Sequence, residues 1–277
     1  MSGDEKTIKI LFFGDMVGKP GRYAVRDYID ELRKNDEMPD FIIANVENAS
    51  HGFGLTEKNY NEISGYGVDC MTSGNHIWDK KDIFNYIDNA DKLVRPFNYP
   101  AGTPGVGSRI FEIQNGLKIA VVNALGRVFM APVDSVWECV RDEIKRLKEI
   151  TPIIIVDFHA EATAEKICFG RFCSELGVSA FFGTHTHVQT ADEQIFNNMA
   201  YITDAGFSGT SDGVIGMEYS TSLSRFTTVI PDRYDVAEGD ITQVCAVEVE
   251  LNPSTGYAVA IKRVFCSRNR KEKDERP

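Results

Sequence analysis

The run Ile8-Lys9-Ile10-Leu11-Phe12-Phe13, closed by Gly14-Asp15, is apolar at every position but Lys9. A strand with one wet face alternates polar and apolar side chains. A short continuous apolar run ended by glycine belongs instead to a strand covered on both faces. After the Gly18-Lys19-Pro20-Gly21 turn, Tyr23, Val25, Tyr28, Ile29 and Leu32 recur at helical spacing. Working outward, residues 41–44 and 68–72 read as strands, and 55–63 as a helix opened at Thr56 and Glu57. Asp79 suits the N-cap of a helix carrying Ile83, Phe84 and Ile87. Further strands are expected at 109–113, 119–123, 153–158, 178–182 and 200–203, with helices at 136–150 and 163–175.

From about Arg225 the period moves towards two. Cys245, Val247, Val249 and Leu251 share one face of a strand, and a hairpin across Asn252-Pro253-Ser254-Thr255-Gly256 leads into another at 257–265. Strands alternating with helices, followed by β-rich segments, make an α/β layered fold. No repeat or linker divides the chain, so residues 1–266 read as a single domain. Residues 267–277 are almost wholly charged or polar and read as a mobile tail, with Arg268, Arg270, Lys271 and Lys273 giving it a positive bias.

Thirty basic against 41 acidic side chains in 277 residues leave a net charge of −11. That balance argues against a surface that coats nucleic acid in general, which needs a positive footprint. The six cysteines are scattered with no Cys-x-x-Cys, and read as small buried hydrophobes rather than disulfides. No apolar stretch nears the ~18 residues of a membrane helix. No signal-peptide pattern precedes the first strand-like run, so a cytoplasmic location is expected.

Four of the five histidines fall in three blocks: Gly74-Asn75-His76, Asp157-Phe158-His159 and Gly183-Thr184-His185-Thr186-His187. With Gly14-Asp15 and Glu47-Asn48 they follow the expected strands by a few residues. In an open α/β sheet the C-terminal ends of parallel strands share one rim, so these groups meet in one crevice. Imidazole, carboxylate and amide oxygens suit borderline divalent metals. If residues 185–187 are extended, His185 and His187 point the same way. Two divalent ions bring four positive charges, whereas Asp15 and Glu47 return two negatives. The surplus attracts a phosphate, and ions ~3.5–4 Å apart can activate a shared water. His76 adjoins Asn75, and adjacent residues rarely ligate one ion; an imidazole there is suited to protonating a leaving alkoxide.

These blocks resemble the signature of calcineurin-like metallophosphoesterases, and more closely that of the bacterial YmdB-like 2′,3′-cyclic nucleotide phosphodiesterases. The likeness covers residues 8–265 and includes Gly126-Arg127-Val128-Phe129-Met130. It implies a four-layer α/β/β/α sandwich and two divalent ions, iron or manganese, although zinc or cobalt also suits such donors. Asp15, Glu47, Asn48, Asn75, His159, His185 and His187 are the implied ligands, with Glu47 bridging and His76 the proton donor. The implied reaction is attack by metal-bridged hydroxide on 2′,3′-cyclic nucleotides or other small phosphodiesters. Self-association of the chain is a weaker implication.

Two positions depart from the wider pattern, Val17 in place of a histidine and Ile77 in place of an acid, and one departs from the YmdB-like subgroup, His51 where glycine is more usual. Asp79 is then the candidate for orienting His76, and Asp204 for orienting a ligand histidine or capping a turn. Arg127 is a candidate phosphate contact, with a surface ion pair as the competing reading. A metal-dependent nucleotide sensor with little turnover is the alternative function. A TIM-barrel hydrolase ranks below both, because its His-x-His belongs to the first strand.

Overall fold

The computed structural model describes residues 7–113, 116–230 and 233–269. In chain order the first half runs β1 (Ile8–Phe13), β2 (Asp15–Met16), α1 (Gly18–Lys34), β3 (Phe41–Asn45), α2 (Glu57–Tyr66) and β4 (Cys70–Thr72). Two 3₁₀ turns follow (Lys81–Asn85 and Ile87–Asn89), then β5 (Leu93–Val94), β6 (Ser108–Glu112) and β7 (Lys118–Leu125). The second half runs α3 (Val136–Lys148), β8 (Ile154–His159), α4 (Thr163–Glu175), β9 (Ala180–Thr184), β10 (Gln194–Phe196) and β11 (Met199–Ile202). It closes with β12 (Phe207–Thr210), α5 (Tyr219–Thr228), β13 (Ile241–Leu251) and β14 (Ala258–Asn269).

Two sheets result. One has the order β2-β12-β13-β1-β3-β4-β5, with β14 paired to β13; the other runs β10-β11-β9-β8-β7-β6. The continuous apolar run is covered on both faces, as its composition demands. Ile10 and Phe12 of β1 point between the sheets, where Phe12 stacks on Phe182 of β9 at 4.3 Å between ring centroids. Leu11 and Phe13 point the other way, onto Val25 and Ile29 of α1. On the far side α3 and α4 bury Val140, Ile144 and Phe169 against β7, β8 and β9. Three apolar layers between four structural ones make this the α/β/β/α sandwich.

β1, β3, β4 and β5 run parallel, as do β7, β8, β9 and β11. The C-terminal ends of both parallel sets open on the same rim. Asn45 at the end of β3 donates to Asp157 in β8 across 3.0 Å, which ties the two sheets together there.

Several elements differ from the sequence reading. The helix expected after Asp79 is two 3₁₀ turns instead, and the Asp79 carboxylate meets His76 rather than a helix end. Arg225 lies in helix α5, so the β-rich region starts later than the periodicity implies. The hairpin closes as read, but β14 outlasts it. Ser267, Arg268 and Asn269 pair with Gln243, Thr242 and Ile241, so the first three residues of the expected tail are strand; 270–277 lie outside the described residues. All six cysteines are free thiols. Among the described residues no helix is long and apolar enough to cross a membrane.

Phe182 belongs to the layer that holds the sheets together. Phe182→Ala should lower unfolding free energy by about 3–5 kcal/mol, read from urea denaturation. A loss below about 1 kcal/mol would mean the inter-sheet layer relaxes around the gap.

Candidate metal centre

Asp15, Glu47, Asn75, His159 and His185 reach this rim from both sheets. His159 Nε2 is the hub: Glu47 Oε1 lies 2.9 Å away, Asn75 Oδ1 3.2 Å and His185 Nδ1 3.0 Å. Four electron-rich atoms therefore face one another with a single proton at most between any pair. Donors held 2.0–2.2 Å from one ion stand roughly 3 Å apart, which is the spacing found here. The donor atoms of Glu47, His159 and His185 all lie within 4.8 Å of one another, close enough for a cation to draw them together with small side-chain movements. The loop carrying Asn75 comes this close because of Gly74: a Cβ there would stand 2.2 Å from Glu47 Oε2 and 2.5 Å from His159 Nε2.

A second group of donors lies beside the first. Asp15 Oδ2 accepts the His185 amide at 3.0 Å, leaving Oδ1 buried and without a hydrogen bond among the described residues. His187 Nε2 stands 3.7 Å from that oxygen and His159 Nδ1 3.8 Å. Asn48 donates from Nδ2 to the Gly52 carbonyl at 2.8 Å, and its Oδ1 is likewise buried and unpartnered among the described residues. A buried polar atom without a partner costs about 1–3 kcal/mol. Asp15 Oδ1 beside two histidine nitrogens fits a cation, as does the first cluster, and Asn48 lines the same cavity as His185 and His187.

The electrostatics agree. Burial by itself would raise the Asp15 carboxyl, yet His187 and His159 hold it well below the usual range. Glu47 is lowered against the same burial by His159. Burial would lower His187, but Asp15 pushes it up to about 9. His159 is raised by Glu47 in the same sense. Burial and the neighbouring His159 pull His185 down to about 3. The two carboxylates thus favour the cationic form of His159 and His187, and burial favours the neutral form of His185.

Residues 185–187 are not an extended strand. β9 ends at Thr184, and His185 and His187 have φ of +98° and +62°. The two rings diverge as a result, His185 towards His159 and Glu161, and His187 towards Asp15 and the Ile215 carbonyl. Asp204 holds the turn by its middle residue, accepting from the Thr186 amide at 3.1 Å and hydroxyl at 2.7 Å. It therefore positions both histidines through the backbone, touching neither ring by a hydrogen bond. Lys166 of α4, fully buried, lies 2.7 Å from Asp204 and balances its charge.

Residues 11–264 match the model of the YmdB-like protein family. The chain belongs to that family. It is 46% identical over 259 residues to the 2′,3′-cyclic-nucleotide 2′-phosphodiesterase of Bacillus subtilis, covering 93% of this chain and 97% of that one. It superposes on a novel phosphatase from Mycoplasma pneumoniae with TM-score 0.88 at 32% identity, over 99% and 98% of the two chains. A hypothetical protein from Thermus thermophilus gives TM-score 0.87 at 35% identity, over 94% and 100%. The phosphoesterase class read from the sequence agrees with the activity named for the Bacillus relative.

In this YmdB-like chain His76 stands outside the donor set. Its Nδ1 lies 2.9 Å from Asp79 Oδ2, its amide donates to Glu47 Oε2, and its ring borders the cavity over the cluster. Asp79 thus does the orienting that the missing acid at Ile77 would have done. Arg127 is not brought into the cluster: its amide donates to Glu165, while its side chain is exposed and makes no hydrogen bond or ion pair among the described residues. His51 is an exposed loop residue with φ of +57°.

Sequence reasoning missed the groups behind the donors. Thr184 Oγ1 donates to Asp157 and lies 2.9 Å from His159 Nδ1, fixing that ring so that Nε2 faces Glu47. Burial raises the Asp157 carboxyl to about 7. Asn45 accepts the Glu47 amide at 3.1 Å while donating to Asp157. Glu161, 3.1 Å from His185 Nε2, sits inside the Asp157–Thr163 block and could have been found from its distance to His159 alone.

Lys166→Met leaves Asp204 charged and unpaired in the interior. Stability should fall by about 3–5 kcal/mol, measured by denaturant unfolding. An unchanged midpoint would show that the amide and hydroxyl donors alone suffice for Asp204.

Proposed function

We propose that this chain is a dinuclear phosphodiesterase acting on 2′,3′-cyclic nucleotides and related small phosphodiesters. In this reading Asp15, Glu47, Asn48, Asn75, His159, His185 and His187 would hold two divalent ions, iron or manganese, with Glu47 placed to serve as a ligand to both. The observation that carries it is the buried Asp15 Oδ1, without a hydrogen bond among the described residues, beside the Glu47, His159 and His185 donors, with His76 at the edge of the same cavity. The activity named for the Bacillus relative supports the substrate class. Free thiols at Cys70, Cys173 and Cys245, all buried, support a cytoplasmic location.

Bound divalent ions supply Lewis-acid activation of water and neutralise phosphoryl oxygens. The chain supplies the rest. Hydrolysis delivers hydroxide to phosphorus and a proton to the departing ribose oxygen. His76 is held by Asp79 through Nδ1, so its Nε2 is the nitrogen left to give that proton. The His76 amide bond to Glu47 keeps this donor at a fixed distance from the reacting centre. Thr184 and Asp204 hold His159, His185 and His187 in place, so the site is formed before substrate arrives.

The division of labour is testable with manganese supplied. His76→Ala should keep wild-type metal content and lose about 10²–10⁴ in kcat on 2′,3′-cyclic AMP. Asp15→Ala should lose metal and turnover together. Equal metal loss in both variants, by elemental analysis, would remove His76 from the role of acid.

A further inference from the structure

The cavity over the cluster has two chemically unlike walls. Glu47, Asn48, His76, His185 and His187 form one; Phe53, Ile215, Met217, Phe226 and Tyr234 form the other, around a volume of about 160 Å³. Hydrolysis at phosphorus needs only the first wall. We propose that the second holds the heteroaromatic base of the substrate, with Phe226 and Tyr234 as its stacking partners. This assignment rests on the nucleotide reading above.

Three observations carry it. The first is a ladder of rings leading away from the acid. Phe53 meets the His76 ring edge-on at 4.8 Å between centroids, and Tyr234 lies 6.4 Å beyond Phe53. The Arg225 guanidinium sits 4.3 Å over the Tyr234 ring and fixes its plane. A nucleotide whose phosphate lies at the cation site can reach these rings with its base, because donors and rings line one cavity.

The second is Phe226 itself. Helix α5 buries only Ser222, and Phe226 is 78% exposed although it borders the cavity. An aromatic side chain so placed contributes little to the core; a flat apolar ligand gives it a surface to cover. The third is Ile215, a β-branched residue at φ +48°. That backbone is costly for such a residue and persists where the surroundings impose it. Here the strained residue serves both walls: its carbonyl lies 2.9 Å from His187 Nδ1, and its side chain joins the apolar wall. The junction between the metal cluster and the aromatic wall is thus built at a conformational cost.

The wall offers a base more ring surface than hydrogen bonds. Of its two polar side chains, Ser222 already donates to the Glu218 carbonyl at 2.9 Å, and Tyr234 presents a ring with one hydroxyl. Stacking accepts every base, so purines and pyrimidines should both be substrates.

The test compares 2′,3′-cyclic AMP with glycerol 1,2-cyclic phosphate, which carries the same diester chemistry without a base. In Phe226→Ala the ratio of kcat/KM for the nucleotide to that for the glycerol ester should fall about 5- to 150-fold, through KM. Phe226→Trp should restore it. Because Phe226 is exposed on a surface helix, the variant is expected to fold; Tyr234→Ala gives a second, independent reading of the same ratio. A ratio unchanged in both alanine variants overturns the base site and leaves the phosphodiesterase reading standing. Wild-type protein that hydrolyses neither ester overturns both.

Discussion

Two carboxylates with almost no solvent, Asp15 and Glu47, set the terms for the rest of this molecule. Burying an ionised carboxylate is tolerated only where positive charge and hydrogen-bond donors replace water. The protein supplies part of that replacement from its backbone, through the His185 amide to Asp15 and the His76 amide to Glu47. Imidazoles supply more. What is left over, an Asp15 oxygen and an Asn48 oxygen without a hydrogen bond among the described residues, points to where cations belong.

The fold makes this arrangement possible by keeping the charge at one rim of a dry interior. Parallel strands from two sheets end there, so the donors arrive from separate short segments without any one loop being long. The cost appears as local strain. His185, His187 and Ile215 all have positive φ, and Asp204 with Lys166 holds the first two against it. Such strain persists because the surrounding network fixes it.

Much of this was legible in the chain itself. Uninterrupted apolar runs gave away the doubly covered strands, and a polar residue just past each run gave away the rim. Elements whose existence depends on neighbours were not legible. β2, β5, β10 and β12 are two to four residues long and are strands because of their pairing, with too few positions for a period. α5 buries one residue, so it leaves no amphipathic stripe to find. The donors themselves were readable as residue types, and so were Asp79 and Asp204 as groups to aim them. Thr184 and Asn45 were not, because they act through hydrogen bonds that only the packed structure brings together. The divergence of His185 and His187 also escaped, because alternation along a strand stops applying where the strand ends at Thr184.

The central claim is that the rim is a cage for two cations. The most direct measurement is anomalous diffraction from a crystal of the full chain grown with manganese. Two strong peaks are predicted, one among Glu47, His159 and His185 and the other between Asp15 and His187. No anomalous density at the rim, with the imidazoles and carboxylates still in mutual contact, would contradict it.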